Sequence, residues 1–464
     1  MDVVTIETPA LGDRSYLVHD GEAALVIDPQ RDIDRMMEAA EAAGVRYTHV
    51  AETHIHNDYV SGGLDLARRT GAAYVIPDGN DVAFEHRAVH NGDVIRVGRL
   101  QVRVMATPGH TRHHAAYLVS EPGQPAALFS GGSLLYGTVG RTDLLGPEAT
   151  QELTRAQYRS VRRLAAELED DVAVWPTHGF GSFCSSAPSS GAATATMGRE
   201  RATNMALTIP DEETFVARLL DGLTAYPRYY THMAPMNQAG PAPFALQAPE
   251  PLDGEGLRRR IREGGWVVDL AERRLFSGGH VPGTISVELG DSFATYLGWV
   301  VPWGRPITLV GDSMSQVNKA QRALARIGID DLDGAATGPR LALAAGTSLA
   351  HYPAADFPEL ARASQTVSRT GVPAPMVLDV RRDDERARGW IEGSLHVPLQ
   401  DLPDSIAGLP ADTLWVHCAS GFRASIAASI LDRAGHPVVL VDDHWAHAAR
   451  SGLAIAGPGK GSPK

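Results

Sequence analysis

The segment Thr53-His54-Ile55-His56-Asn57-Asp58-Tyr59 constrains the fold of this chain more than any other. It follows directly on an apolar run that ends at Val50-Ala51. Alternate residues leaving a strand end point to one side, so His54, His56 and Asp58 converge on one metal or on neighbouring metals. Two more histidines stand at similar places: His110 in Thr107-Pro108-Gly109-His110-Thr111, and His178 in Trp175-Pro176-Thr177-His178-Gly179. Taken singly, each histidine is more simply a surface residue or a hydrogen-bonded core residue. Their recurrence beside Pro and Gly turns points instead to a metal site built from His54, His56, Asp58, His110 and His178, in a fold that gathers strand ends at one edge.

The surrounding pattern is mixed α/β. Ser15-Tyr16-Leu17-Val18 and Ala24-Leu25-Val26-Ile27-Asp28 read as paired strands across a His19-Asp20-Gly21 turn, and a helix from Ile33 to Ala43 is stopped by Gly44. A Ser/Ala/Gly stretch, Ser185 to Thr196, breaks the pattern. Asp211 then caps an amphipathic segment to Gly222, and the Pro-rich run Pro235 to Pro251 reads as a linker. Beyond it one unit is stated twice. Trp266-Val267-Val268-Asp269-Leu270 precedes Gly279-His280-Val281-Pro282-Gly283, and Met376-Val377-Leu378-Asp379-Val380-Arg381 precedes Gly389-Trp390-Ile391-Glu392-Gly393. Each is followed by a second buried strand, Ile307 to Val310 or Thr413 to Val416, and a helix. The expected domains are residues 1–245, 252–352 and 366–460, in keeping with a 464-residue chain.

Composition removes several function classes. The net charge of −13 argues against a nucleic-acid or anionic-membrane partner, which needs surplus Lys and Arg. No basic n-region or long apolar run suggests a secretory signal or a membrane span. The two cysteines, Cys184 and Cys418, lie far apart and read as free thiols in a reducing, cytoplasmic compartment. The scarcity of Lys against Arg, with abundant Ala and Gly, suggests a GC-rich bacterial source.

The histidine motifs resemble the metallo-β-lactamase superfamily, and within it the glyoxalase II and persulfide dioxygenase branch, over about residues 1–205. The resemblance implies an αββα sandwich with metal at one edge. In the persulfide dioxygenases that metal is a single Fe(II) held by two histidines and a carboxylate, and His54 and His110 fall on the histidine positions. Two departures stand out. Tyr59 replaces the histidine that usually follows the Asp, and Phe129-Ser130-Gly131-Gly132-Ser133 puts Gly132 where the carboxylate is expected. Gly140-Arg141-Thr142-Asp143 is retained. These departures disfavour a two-metal hydrolase and leave a mononuclear site of His54, His110 and, as a third donor, His56, with Fe(II) expected and zinc as the alternative. Cys184 reads either as a buried small hydrophobe or as a catalytic group that carries persulfide sulfur at the metal mouth. Arg199 to Asn204 and Tyr230 to Asn237 resemble segments of metallo-β-lactamase and rhodanese fusions, and are expected to pack between domains.

Near the C-terminus, His417-Cys418-Ala419-Ser420-Gly421-Phe422-Arg423 joins an apolar strand to a helix. Backbone N–H groups and the positive helix end favour a thiolate there, and Arg423 adds charge beside it. With Asp379-Val380-Arg381 and Gly389 to Gly393 upstream, the Cys-x-x-Gly-x-Arg pattern resembles rhodanese sulfurtransferases over about residues 368–458. That resemblance implies that Cys418 takes up sulfane sulfur as a persulfide, with Arg423 assisting. The preceding module has Val310-Gly311-Asp312-Ser313-Met314-Ser315 at the matching place, so it is expected to be catalytically silent, serving as spacer, dimer contact or docking surface.

The fold class expected is α/β multidomain: the αββα sandwich followed by two rhodanese-like domains. The expected function is oxidation of a low-molecular-weight thiol persulfide to sulfite, with sulfane sulfur passing through Cys418. Its small-molecule partners are the persulfide and thiosulfate or sulfite, and a homo-oligomer is compatible with the sequence. The alternatives are a metal-dependent thioester hydrolase of the glyoxalase II kind, and a sulfurtransferase whose metal domain is degenerate.

Overall fold

The computed structural model describes residues 1–186, 194–370 and 374–457. Most of the Ser/Ala/Gly stretch after Cys184, together with the expected domain end at 460, lies outside them. The chain divides into two compact units. One is Met1–Leu246 with Leu324–Gly328, and the other is Gln247–Ala323 with Ile329–Lys464.

The first unit is a sandwich of two six-stranded sheets. One runs in the spatial order Asp2–Thr8, Asp13–His19, Ala23–Ile27, Arg46–Ala51, Ala73–Pro77, Arg87–Val89. The other runs Ala195–Thr196, Ala173–Pro176, Ala127–Gly131, Ala115–Ser120, Leu100–Ala106, Val94–Val97. Alternation along each strand sorts its side chains between two layers. Tyr16, Val18, Leu25 and Ile27 join Val102, Val104, Tyr117 and Phe129 between the sheets. Leu17 and Val26 face the other way, onto Met36 and Ala40 of the helix Asp34–Ala43 and Leu66 of the helix Gly63–Thr70. The second sheet is covered in the same fashion by Val161 and Leu164 of the helix Pro147–Glu167 and by Phe215 and Leu219 of Glu212–Gly222. Apolar residues on both faces of Ala23–Ile27 follow from this layering, because the strand has no solvent side.

Several helix boundaries fall where the residue chemistry puts them. Gly44 ends the first helix at φ 66°, and Asp211 accepts from the Thr214 amide to start Glu212–Gly222. The linker expected from Pro235 begins later. Pro235 lies inside the helix Tyr230–Ala239, and regular structure stops only after it.

In the second unit two parallel sheets repeat one strand order. The first runs Ile285–Ser286, Trp266–Asp269, Ile307–Gly311, Leu332–Thr337. The second runs Leu395–His396, Met376–Asp379, Leu414–His417, Val438–Val441, with Ala354–Ala355 added at the far edge. In each, the earliest of the four matching strands sits between the second and third. The edge strand Ala354–Ala355 and the helix Phe357–Thr370 place material of this last sheet ahead of the expected start at 366. Among the described residues no helix is long and apolar enough to cross a membrane.

The last sheet is anchored by a buried ion pair. Arg381 donates from Nε and Nη2 to both oxygens of Asp379, at 2.9 and 2.7 Å, and its guanidinium lies 3.7 Å over the Trp445 ring. Burial would raise the Asp379 carboxyl, but the Arg381 hydrogen bonds outweigh it and bring the group down to about 2. A depressed carboxyl stabilises the fold above its unfolded value of about 3.9 and loses that contribution as pH falls through the folded value. Urea titrations across this acid range are therefore expected to lose about 2 kcal/mol from this group. An Asp379→Asn variant is expected to be less stable at neutral pH and to lack that acid limb.

Candidate metal centre and cysteine loop

The metal edge is built where strands of both sheets end. Asp28 follows Ala23–Ile27, Glu52 to His56 follow Arg46–Ala51, His110 follows Leu100–Ala106, and Thr177 and His178 follow Ala173–Pro176. All five residues expected to bind metal meet here, each almost wholly buried. The His54 ring centroid lies 4.1 Å from that of His56, 4.8 Å from His110 and 5.4 Å from His178.

Hydrogen bonds at the ring nitrogens decide which atoms face the centre. The Thr53 hydroxyl donates to Asp28 Oδ2 at 2.7 Å, so its lone pair accepts from His54 Nδ1 at 2.9 Å. The His54 Nε2 lone pair is thereby turned inward. His110 Nδ1 donates to the Arg141 carbonyl at 2.7 Å, leaving its Nε2 buried and without a partner. His178 Nδ1 stands 2.9 Å from Asp13 Oδ1 and 3.2 Å from Asp58 Oδ2, and its Nε2 lies 3.4 Å from His54 Nε2. Fixing Nδ1 in this way presents Nε2 as the metal donor.

His56 is turned differently. Its Nε2 lies 3.2 Å from Asp28 Oδ1, 3.3 Å from Glu52 Oε2 and 3.0 Å from the Tyr59 hydroxyl, while Nδ1 is buried and unpartnered. Burial would lower its pKa, but the two carboxylates outweigh that and raise it to about 9. His54 and His110 go the other way. Burial first, then neighbouring histidines, holds both below the ordinary range, with His110 at about 3, so they are neutral donors.

The second-metal positions are engaged with one another. Burial opposes charge on His178, yet Asp58 and Asp13 hold it well above its ordinary value, and the Asp58 carboxyl is correspondingly lowered against its own burial. Tyr59 stacks on His56 at 4.3 Å and donates to the Asp28 carbonyl. At Gly132 a Cβ would stand 2.2 Å from His110 Cδ2, so the expected carboxylate has no room beside the ring as it is placed. The Gly132 amide donates instead to Nε2 of His114, which occupies that lone pair.

Asp13, Asp28, Glu52 and His114 escaped the sequence reading. Asp28 carried the one usable signal, a carboxylate at the end of an uninterrupted apolar strand, and it adopts φ 52°. The segments expected to pack between domains make contacts at this edge within the first unit. Asn237 Nδ2 donates to the carbonyls of His56 and Tyr59, both at 2.9 Å, and Asn204 Nδ2 donates to those of Leu135 and Thr138. Cys184 is also here, fully buried; burial, with Asp58 and Asp13 beside it, pushes its thiol well above the ordinary range.

Two donor atoms, His110 Nε2 and His56 Nδ1, are buried without a hydrogen-bond partner, which fits a site that takes a cation. Asp13 Oδ2, Glu52 Oε2 and Asp58 Oδ1 are likewise buried without a partner, but Gly132 supplies no carboxylate and His178 is held between Asp13 and Asp58, so the residues fit one ion better than two.

In the second unit Cys418 follows the strand Leu414–His417, and the helix Phe422–Arg433 starts four residues later behind Gly421 at φ 88°. A Cβ at Gly421 would meet Asp442 Oδ1 at 2.1 Å, so glycine is required on both counts. Arg423 is committed to Glu385, bidentate at 2.5 and 2.7 Å, so its charge is shared with that carboxylate rather than left whole for the sulfur. The cysteine-free module packs on this loop. Tyr296 lies 5.6 Å from the Phe422 ring, while Arg273 and Arg274 both pair with Asp442. These contacts give that module a role beyond the three expected: it forms a wall of the cysteine site.

The metallo-beta-lactamase superfamily model matches residues 10–178, and the rhodanese-like domain model matches residues 361–448. The chain therefore carries one domain of each kind, and the rhodanese-like match covers the Cys418 module but not the one before it. A hydroxyacylglutathione hydrolase of Acidiphilium cryptum (strain JF-5) is 40% identical over 117 residues, 24% of this chain and 47% of that protein. Another, from Methylococcus capsulatus (strain ATCC 33009 / NCIMB 11132 / Bath), is 34% identical over 170 residues, 35% of this chain and 60% of that one. The chain thus spans about half the length of these curated relatives. A solved metallo-beta-lactamase from Staphylococcus aureus subsp. aureus COL is 29% identical with a TM-score of 0.65, covering 73% of this chain and 99% of its own.

Because a side chain at 132 drives into the His110 ring, Gly132→Ala is expected to lose about 1–3 kcal/mol of stability. It should also weaken metal binding by about tenfold or more through the displaced imidazole. Thermal unfolding and a zinc titration of the full chain measure the two effects.

Proposed function

We propose that this chain oxidises a low-molecular-weight thiol persulfide to sulfite at the histidine edge and transfers sulfane sulfur at Cys418. The observation that carries the reading is that Asp58 and His178 are paired and Tyr59 is turned to His56 and the Asp28 carbonyl, while His54 and His110 keep inward-facing Nε2 atoms. A hydrolase of the binuclear kind needs the former set free to hold a second ion. A single ferrous iron would supply open coordination positions for a sulfur anion and dioxygen.

The residues of the chain do the rest. Thr53 and the Arg141 carbonyl keep His54 and His110 in one tautomer, and burial of the edge excludes water from the reacting sulfur. Overall, one persulfide, one dioxygen and one water give one thiol, one sulfite and two protons. The sulfane sulfur loses the four electrons that dioxygen takes up. At the other site the Cys418 sulfur attacks the outer sulfur of thiosulfate, releasing sulfite and leaving a cysteine persulfide. A thiolate then removes that sulfur as a new persulfide. Both reactants belong to small-molecule thiol chemistry of the cytoplasm.

The hydroxyacylglutathione hydrolase relatives favour a second reading, a thioester hydrolase. It requires two ions and no oxygen. Anaerobically prepared protein loaded with ferrous iron is expected to consume oxygen and form sulfite when given glutathione persulfide. His110→Ala abolishes that uptake, whereas Cys418→Ser retains it and loses thiosulfate sulfurtransferase activity. Absence of uptake, with thioester cleavage by a two-zinc form, would replace this proposal by the hydrolase.

A further inference from the structure

The metal edge has lost the carboxylate of its expected donor set at Gly132, yet an anionic donor is close by. One ligand atom each from His110, His178 and Cys184 lie within 4.8 Å of one another, all fully buried. His54 Nε2 is 3.4 Å from His178 Nε2 on the same centre. Resting on the reading that this edge binds a single ion, we propose that Cys184 is a metal ligand, its sulfur joining Nε2 of His54, His110 and His178 in a four-coordinate site.

The three imidazoles are already prepared for this. Each has Nδ1 held from behind, by Thr53 Oγ1, the Arg141 carbonyl and Asp13 respectively, so each presents Nε2. His110 Nε2 has no hydrogen-bond partner although it is buried, and it faces the group that contains Cys184. A tetrahedral ion with metal–nitrogen distances of about 2.0–2.1 Å and a metal–sulfur distance of about 2.3 Å needs donors about 3.3–3.8 Å apart. The 3.4 Å between Nε2 of His54 and His178 already falls in that range, and the donors of His110, His178 and Cys184, within 4.8 Å of one another, draw in on binding.

Cys184 is also fixed in place. The Arg141 amide donates to the Cys184 carbonyl at 2.9 Å, the Ser186 amide donates to Val139, and Gly140 bridges to Ser185. The same residue, Arg141, thus orients both His110 and Cys184 through its backbone, which gives the retained Gly140 to Asp143 segment a role at the metal. On binding, the thiol gives up one proton as the metal–sulfur bond forms. His178, held charged by Asp58 and Asp13, gives up its Nε2 proton as well, so one thiolate with three neutral histidines leaves a divalent site with a single positive charge. Asp58 then acts from behind His178 rather than on the ion.

The test uses the full chain loaded with one equivalent of Co(II). Wild type and Cys418→Ser are expected to show a thiolate-to-cobalt charge-transfer band in the near ultraviolet. Cys184→Ser should lose that band and bind the ion at least about tenfold more weakly. Zinc-loaded wild type should show one sulfur scatterer at about 2.3 Å by X-ray absorption. Cobalt bound stoichiometrically to wild type without the band, or a band that survives in both Cys184→Ser and Cys184→Ala, overturns the ligand assignment and leaves the mononuclear site standing. No binding of either ion overturns both.

Discussion

The Asp28 carboxylate holds the metal edge together. It accepts from the Thr53 amide at 2.6 Å and from the Thr53 hydroxyl, and it also takes the Thr177 hydroxyl and His56 Nε2. Thr53 continues a strand of one sheet and Thr177 a strand of the other, so a single anion ties the two halves of the sandwich where its ligands emerge. Everything downstream depends on it: the Thr53 hydroxyl can orient His54 only because its proton is committed to Asp28. The left-handed backbone at Asp28 is a conformation an unbranched acidic residue tolerates at some cost, and it aims the carboxylate across the gap.

The elements of the sandwich were legible because they rest on local pattern, whereas their assembly into two layers of sheet came from the family resemblance. Alternating or continuous apolar runs, a glycine stop at 44 and an aspartate cap at 211 each declare an element without reference to distant residues. The ligand-bearing loops were legible for a related reason, since His54 and His56 alternate just past a strand end and His110 and His178 sit beside Pro and Gly. What stayed hidden depends on contacts across the fold. Asp13 pairs with a residue 165 positions away, and Asn237 reaches back 181 positions to the His56 carbonyl. Pro235 misled for a local reason: it lies within Tyr230–Ala239, where its own ring fixes a helical φ and only one backbone donor is lost. Tertiary contacts of Tyr230, Met233 and Asn237 outweigh that loss.

The two parallel modules of the second unit share a strand order and differ at the turn that matters. Both keep the strand order, and both end the central strand at a turn into a helix, Ile307–Gly311 into Met314–Arg326 and Leu414–His417 into Phe422–Arg433. In the first, Asp312 stands at this turn and is held by Arg340, so the place of a nucleophile has become part of a salt-bridged surface. The cysteine-free module also serves the other through its contacts. Asp442, which packs under Gly421, has its charge met by Arg273 and Arg274 of the partner module, and without them that carboxylate would stand partly buried and unpaired beside the cysteine loop.

The same logic separates the two readings of the metal edge. A second ion requires a further set of donors, and here Gly132 offers no carboxylate, Tyr59 stands where an imidazole is expected, and Asp58 and His178 neutralise one another in a fully buried setting with Asp13 as a third member. Pulling them apart to bind an ion exposes each to the desolvation that their pairing offsets. His110 carries the opposite situation, a buried lone pair with nothing to accept. A single cation resolves that deficit without breaking the Asp58–His178 pair. The sequence changes at Tyr59 and Gly132 therefore act in one direction, removing the donors that would compete for a second ion and leaving the centre to the groups that need one.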